Sequence, residues 1–157
     1  HTYVVRSDIS SRKGNLLDRI INRISALVLI FPVLLVAQIS DRHLSSTVEK
    51  YFARNRTAPT LISAEIIDDY LYGRTLKIRI QGHRNSENED LGFAFGAAAA
   101  VANQASVPFE VLWVEMDVRY KQLETTIAIA PAPCSIEAIV MKSRAFSEWW
   151  EQCLEIL

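Results

Sequence analysis

The sequence predicts an α+β protein: an N-terminal single transmembrane helix, then a small domain whose antiparallel sheet packs against helices. Three observations predict it. A charge-free apolar run follows a basic tail, two stretches of strict alternation read as half-buried strands, and an alanine- and glycine-rich helical stretch separates those strands.

The tail, residues 1–23, carries five basic residues (Arg6, Arg12, Lys13, Arg19, Arg23) against two acidic ones (Asp8, Asp18). The run 24–39 that follows has sixteen residues and no charge, and includes Leu27, Leu29, Phe31, Leu34 and Leu35. A bilayer core takes about 20 apolar residues, so the span is short unless it begins at Ile20, with Arg23 snorkelling to the headgroups. A buried helix of a soluble domain is the first rival. It would present a polar stripe to water, and none runs from Ala26 to Ala37. A cleavable signal peptide is the second rival, but the small-x-small cleavage pattern is poor here. Pro32, in the middle of the run, removes one helix hydrogen bond, which a transmembrane helix tolerates with a kink. The basic excess predicts a cytoplasmic N-terminus and places everything from Ser40 beyond the membrane. In a bacterium this is an inner-membrane protein with a periplasmic domain.

Residues 40–157 are predicted to form that extracytoplasmic domain, in the order α-β-β-α-β-β-α. Leu44, Val48, Tyr51 and Phe52 share one face of a helix from Asp41 to Asn55, which the segment Arg56 to Pro59 stops. Ile62 to Ile67 alternates imperfectly. In Thr75 to Gln81, by contrast, Leu76, Ile78 and Ile80 alternate with Lys77, Arg79 and Gln81. Asp68, Asp69 and Gly73 suit a turn between these two strands, giving an antiparallel hairpin.

Ser86 and Glu89 have the spacing of a capping box ahead of a helix over Leu91 to Ala102. Gly92, Gly96 and Ala100 line one face of that helix and predict close packing of a neighbour. Its twelve residues are too few for a second span. Further on, Val114, Met116, Val118 and Tyr120 alternate with Glu115, Asp117, Arg119 and Lys121, the latter set facing water. Thr125 to Ala130 returns, ended by Pro131 and Pro133. Ser135 to Leu157 reads mainly as helix, with Ile136 to Met141 open to a strand assignment. The element order is similar to that of lipid-associating BON domains and of the ring-building domains of secretion machines, a likeness of architecture with no family motif behind it.

Charge and motifs narrow the chemistry. With 17 basic and 18 acidic residues among 157, the chain lacks the surplus that neutralises phosphates, so no nucleic-acid partner is expected. Neither His43 nor His83 has a second His or a Cys at ligand spacing, and no metal or cofactor is expected. Glu87, Glu89 and Asp90 beside His83 lack an EF-hand pattern and read as acids at a helix start. Asp68 and Asp69 have the composition of a general acid/base pair, yet adjacent residues point different ways and the turn accounts for them. No nucleophile elbow, phosphate loop or zincin motif is present, so no catalytic residue is assigned. Asn55-Arg56-Thr57 matches a glycosylation acceptor, relevant in a eukaryotic secretory protein.

On one straight helix Cys134 and Cys153 lie about 28 Å apart, too far to bridge. Two free, mostly buried thiols are therefore expected, unless the chain turns at Lys142-Ser143. Trp149 and Trp150 point about 100° apart on a helix, which predicts that one is exposed.

The sequence thus points to a non-catalytic interaction or assembly subunit of an envelope complex of secretion or transport type. It is expected to be anchored in the lipid bilayer with protein partners, in a homo- or hetero-oligomer. Lys77, Arg79, Trp149 and Trp150 are the candidate interface residues. A module binding lipid or another apolar ligand between sheet and helices is one alternative. A small hydrolase using Asp68, Asp69 or His83 is the other.

Overall fold

The structure, a computed structural model, describes residues 38–157. The span residues Leu27, Leu29, Phe31, Pro32, Leu34 and Leu35 lie outside the described residues. Within them the fold is α+β, with four helices and a five-stranded mixed sheet.

Helix α1 is Asp41–Ala53, and its i, i+4, i+8 spacing buries Leu44, Val48 and Phe52. Tyr51, expected on the same face, is 41% exposed at its rim, where its ring meets Phe93. Strand β1 (Thr60–Asp69) and strand β2 (Gly73–Gln81) form the expected antiparallel hairpin, and Leu76, Ile78 and Ile80 are fully buried on its inner face. Each such side chain contributes about 1.5–3 kcal/mol through loss of water contact.

Helix α2 is Glu87–Gln104, longer than predicted at both ends. The capping box is not made. Asp90, one residue beyond the expected Glu89, turns its carboxylate back to accept from the His83 backbone N–H at 2.6 Å. Helix α2 leads into strand β3 (Val111–Arg119), which lies beside β2 and parallel to it. This corrects the all-antiparallel expectation. A helix running back along the sheet returns the chain to the end where β2 began, so the next strand repeats its direction.

Strand β4 (Leu123–Pro131) pairs antiparallel with β3. The C-terminal segment is not one helix. Short helix α3 (Ala132–Ser135) widens into a π-helical turn (Ile136–Val140), and Lys142 then takes a left-handed φ of 54°. Ser143 N–H reaches back to the Glu137 carbonyl at 2.9 Å, an ending common to helices that reverse direction. Helix α4 (Phe146–Gln152) doubles back, and the two-residue strand β5 (Glu155–Ile156) closes the sheet beside β4. This reversal brings the Cys134 and Cys153 Cα atoms to 6.6 Å, and the two residues form a disulfide in place of the expected free thiols.

The helices cover one sheet face, where Leu112, Val114, Met116 and Val118 of β3 join Phe95, Ala98 and Val101 of α2 in the core. Trp149 completes this core from α4. Among the described residues, no helix is long and apolar enough to cross a membrane.

Candidate functional site

Strand alternation that buries Leu76, Ile78 and Ile80 turns Thr75, Lys77, Arg79 and Gln81 to the other sheet face. The register sets Lys77 beside Trp113, Arg79 beside Glu115 and Gln81 beside Asp117. On the far side of β3, Trp113, Glu115 and Asp117 stand opposite Ile129, Ile127 and Thr125. By register this face carries Glu65, Asp69, Glu115, Asp117 and Glu155 against Lys77, Arg79 and Arg119, a formal excess of two negative charges.

Diagonal pairs link it. Lys77 Nζ lies 2.9 Å from Glu115 Oε1 and 5.8 Å from the Trp113 ring centroid. Trp113 Nε1 donates to Glu115 Oε1 at 3.2 Å, and Tyr72 meets the indole edge-to-face at 5.7 Å. Asp117 departs from the expectation that it faces water: it is 4% exposed. Its carboxylate accepts from Arg79 Nε at 3.0 Å, Arg79 Nη2 at 2.9 Å and Thr125 Oγ1 at 2.7 Å, while Gln81 Nε2 donates to its carbonyl at 3.0 Å. Burial of a carboxylate is tolerable because three donors replace its water.

Lys77 and Arg79 therefore belong to one lattice of ion pairs centred on β3. The two tryptophans sit elsewhere, behind the opposite sheet face. Trp149 is fully buried and Trp150 half-buried, so the two are buried unequally but neither is exposed as expected, and Trp149 has no surface to offer a partner. Trp150 lines a surface groove with Asn88, Glu89, Gly92, Phe93 and Phe146. The smooth face of α2 borders the same region: a Cβ on Gly92 would meet Phe146 Cζ at 3.8 Å, and one on Gly96 would meet Ile139 Cγ2 at 4.0 Å. Ala100, half-buried, continues that helix.

The other candidates have local duties. Asp69 Oδ1 accepts from the Leu71 and Tyr72 backbone N–H groups at 2.7 and 3.0 Å, holding the hairpin turn, and Asp68 is exposed beside it. His83 Nδ1 lies 3.0 Å from Asp90 Oδ2, the carboxylate that ties down the start of α2. Glu87 accepts from the Tyr120 hydroxyl. Among the described residues, no group of three or more His, Cys, Asp or Glu side chains is placed to share a metal ion.

Sequence reasoning missed Trp113 and Tyr72 as members of the outer face. Trp113 has the parity of Glu115 and Asp117, a signal present in the sequence. The pairing of Tyr72 with it depends on the parallel register of β2 and β3, which alternation does not encode.

No protein-family model, curated protein or solved structure matches this chain.

Proposed function

We propose that the chain is a single-pass membrane protein with a cytoplasmic N-terminus, whose α+β domain is a non-catalytic assembly subunit of an envelope complex. The observation that carries this reading is the Cys134–Cys153 disulfide, since such bonds persist in oxidising compartments beyond the cytoplasmic membrane. It agrees with the topology expected from the basic tail and the uncharged run 24–39. The docking surface is the outer sheet face around Trp113, Lys77 and Arg79. Its partner is a neighbouring protein with a polar contact surface, because this face already pairs Lys77 with Glu115 and Arg79 with Asp117.

Photo-crosslinking in intact membranes tests this. A photoreactive residue in place of exposed Glu65 on the outer face gives a discrete protein adduct, whereas one at exposed Asn88 on the helical side does not. Equal labelling at both positions, or none at either, contradicts the reading.

A second reading has one observation in its favour. The groove of about 600 Å³ at Gly92, Phe93, Phe146 and Trp150 is lined mainly by apolar side chains, as a site for lipid or another apolar ligand would be. It lies on the outer helical surface, not between sheet and helices as expected. Mass spectrometry of the purified chain that finds copurified lipid, lost in Phe93→Asp, supports this second reading.

A further inference from the structure

Tight hairpin turns ordinarily carry Gly, Asn, Asp or Ser at their tips. The β1–β2 turn instead displays Tyr70, 99% exposed, and Leu71, 76% exposed. Their presentation is fixed. Asp69 holds the Leu71 and Tyr72 N–H groups, Gly73 closes the turn at φ 70°, and the Tyr72 ring is seated against Trp113. A rigid display of this kind loses little conformational freedom on contact.

The position of the tip suggests what it contacts. Arg74, just past the turn, pairs with Asp41 at 2.6 Å, and Asp41 begins α1 two residues after Ile39. Ile39 is itself held at this end, its N–H on the Gln104 carbonyl at 2.7 Å and its carbonyl on the Ser106 N–H at 2.9 Å. The loop that follows α2 exposes Val107 by 46% and returns to the hairpin through Glu110 N–H on the Arg74 carbonyl at 2.9 Å. The hairpin tip, Val107 and the entry point of the chain thus share one end of the domain. Ile39, the last residue of the uncharged run 24–39, belongs to the fold here, bridged to Ala105 and packed against the core, so a membrane helix ends before it.

We propose that this end, through Tyr70, Leu71 and Val107, rests in the interfacial layer of the membrane that takes up the anchor; the proposal rests on the membrane-anchored reading above. Tyrosine suits that layer, with an apolar ring and a polar hydroxyl. Asp41, Asp68 and Glu110 at the same end are costly to desolvate and keep the contact shallow. The opposite end, the turn between β3 and β4, exposes Tyr120 by 37% and Leu123 by 53%, less than Tyr70 and Leu71, and sets Lys121, Gln122 and Glu124 among them.

The test uses the full chain reconstituted in phosphatidylcholine vesicles and washed with carbonate. Leu71→Cys carries a polarity-sensitive fluorophore, with Lys121→Cys as the control; the native cysteines are paired and do not take the label. The expected result is blue-shifted emission at position 71, quenched more by nitroxide-bearing acyl chains than by aqueous iodide, and the reverse order at position 121. Equal behaviour at the two positions in a chain that resists carbonate overturns the proposal while the anchor stands. A position-71 probe that is wet in pure lipid but shielded in native membranes identifies a protein neighbour, and also overturns it. If carbonate strips the chain, the anchored reading fails separately. The released chain then decides: with vesicles added back, entry of the position-71 probe into lipid upholds the tip contact, and a probe left in water overturns it.

Discussion

The indole Nε1 of Trp149 donates to Ser135 Oγ at 2.9 Å, with both residues wholly buried. Ser135 in turn donates to the Pro131 carbonyl at 3.0 Å, which ties α4 through α3 to the end of β4. Ser135→Ala removes the acceptor and leaves an indole N–H without water or partner. The expected loss is about 1–3 kcal/mol in denaturant unfolding, as a lower midpoint with an unchanged slope. Trp149→Ala, which also empties core volume beside Phe95, costs about 3–5 kcal/mol.

The disulfide spans a sequence separation of 19 residues. Closing a loop of that length stabilises a fold by about 3 kcal/mol, largely by restricting the unfolded chain. Unfolding in the presence of a reductant should show that loss. A thiol count on denatured, non-reduced protein should give no free thiol.

Gly92 and Gly96 occupy interior helix positions with room for a methyl group, because the nearest side-chain atoms stand at ordinary contact distance. Gly92→Ala and Gly96→Ala are each expected to raise stability by about 0.5–1 kcal/mol, read as a higher melting temperature. Gly73→Ala is expected to do the opposite, since φ at Gly73 is 70°, a backbone conformation strained for any residue with a Cβ.

Arg79→Met leaves the buried Asp117 carboxylate with Thr125 as its remaining side-chain donor. The expected cost is about 1–3 kcal/mol, moderated because the Arg79 side chain is itself partly exposed. Asp117→Asn combined with Arg79→Met should recover part of the loss, which a double-mutant cycle measures.

The legible parts of this fold were those with a strong period. Leu76, Ile78 and Ile80 mark their strand because alternation with charged residues has no other simple reading. The direction of pairing was hidden: β3 alternates in the same way whether it runs parallel or antiparallel to β2, and only the helical crossover fixes it. Cys134–Cys153 was left contingent on a turn at Lys142-Ser143, and that turn is the one made; it could not be decided from sequence because Lys has no signature for the left-handed conformation Lys142 adopts. β5, with two residues, is too short to show a period. Of the outer face, Lys77 and Arg79 were legible from alternation, whereas the burial of Asp117 required knowing that Arg79 and Thr125 converge on it.

Membrane fractionation of the intact protein with a carbonate wash, followed by protease added from the outer side, decides whether the chain is anchored with its domain outside. The chain is expected to resist extraction, and its C-terminal domain to be reached by protease only from outside. Release of the chain by carbonate, or cleavage of that domain only after the membrane is breached, contradicts the anchored reading.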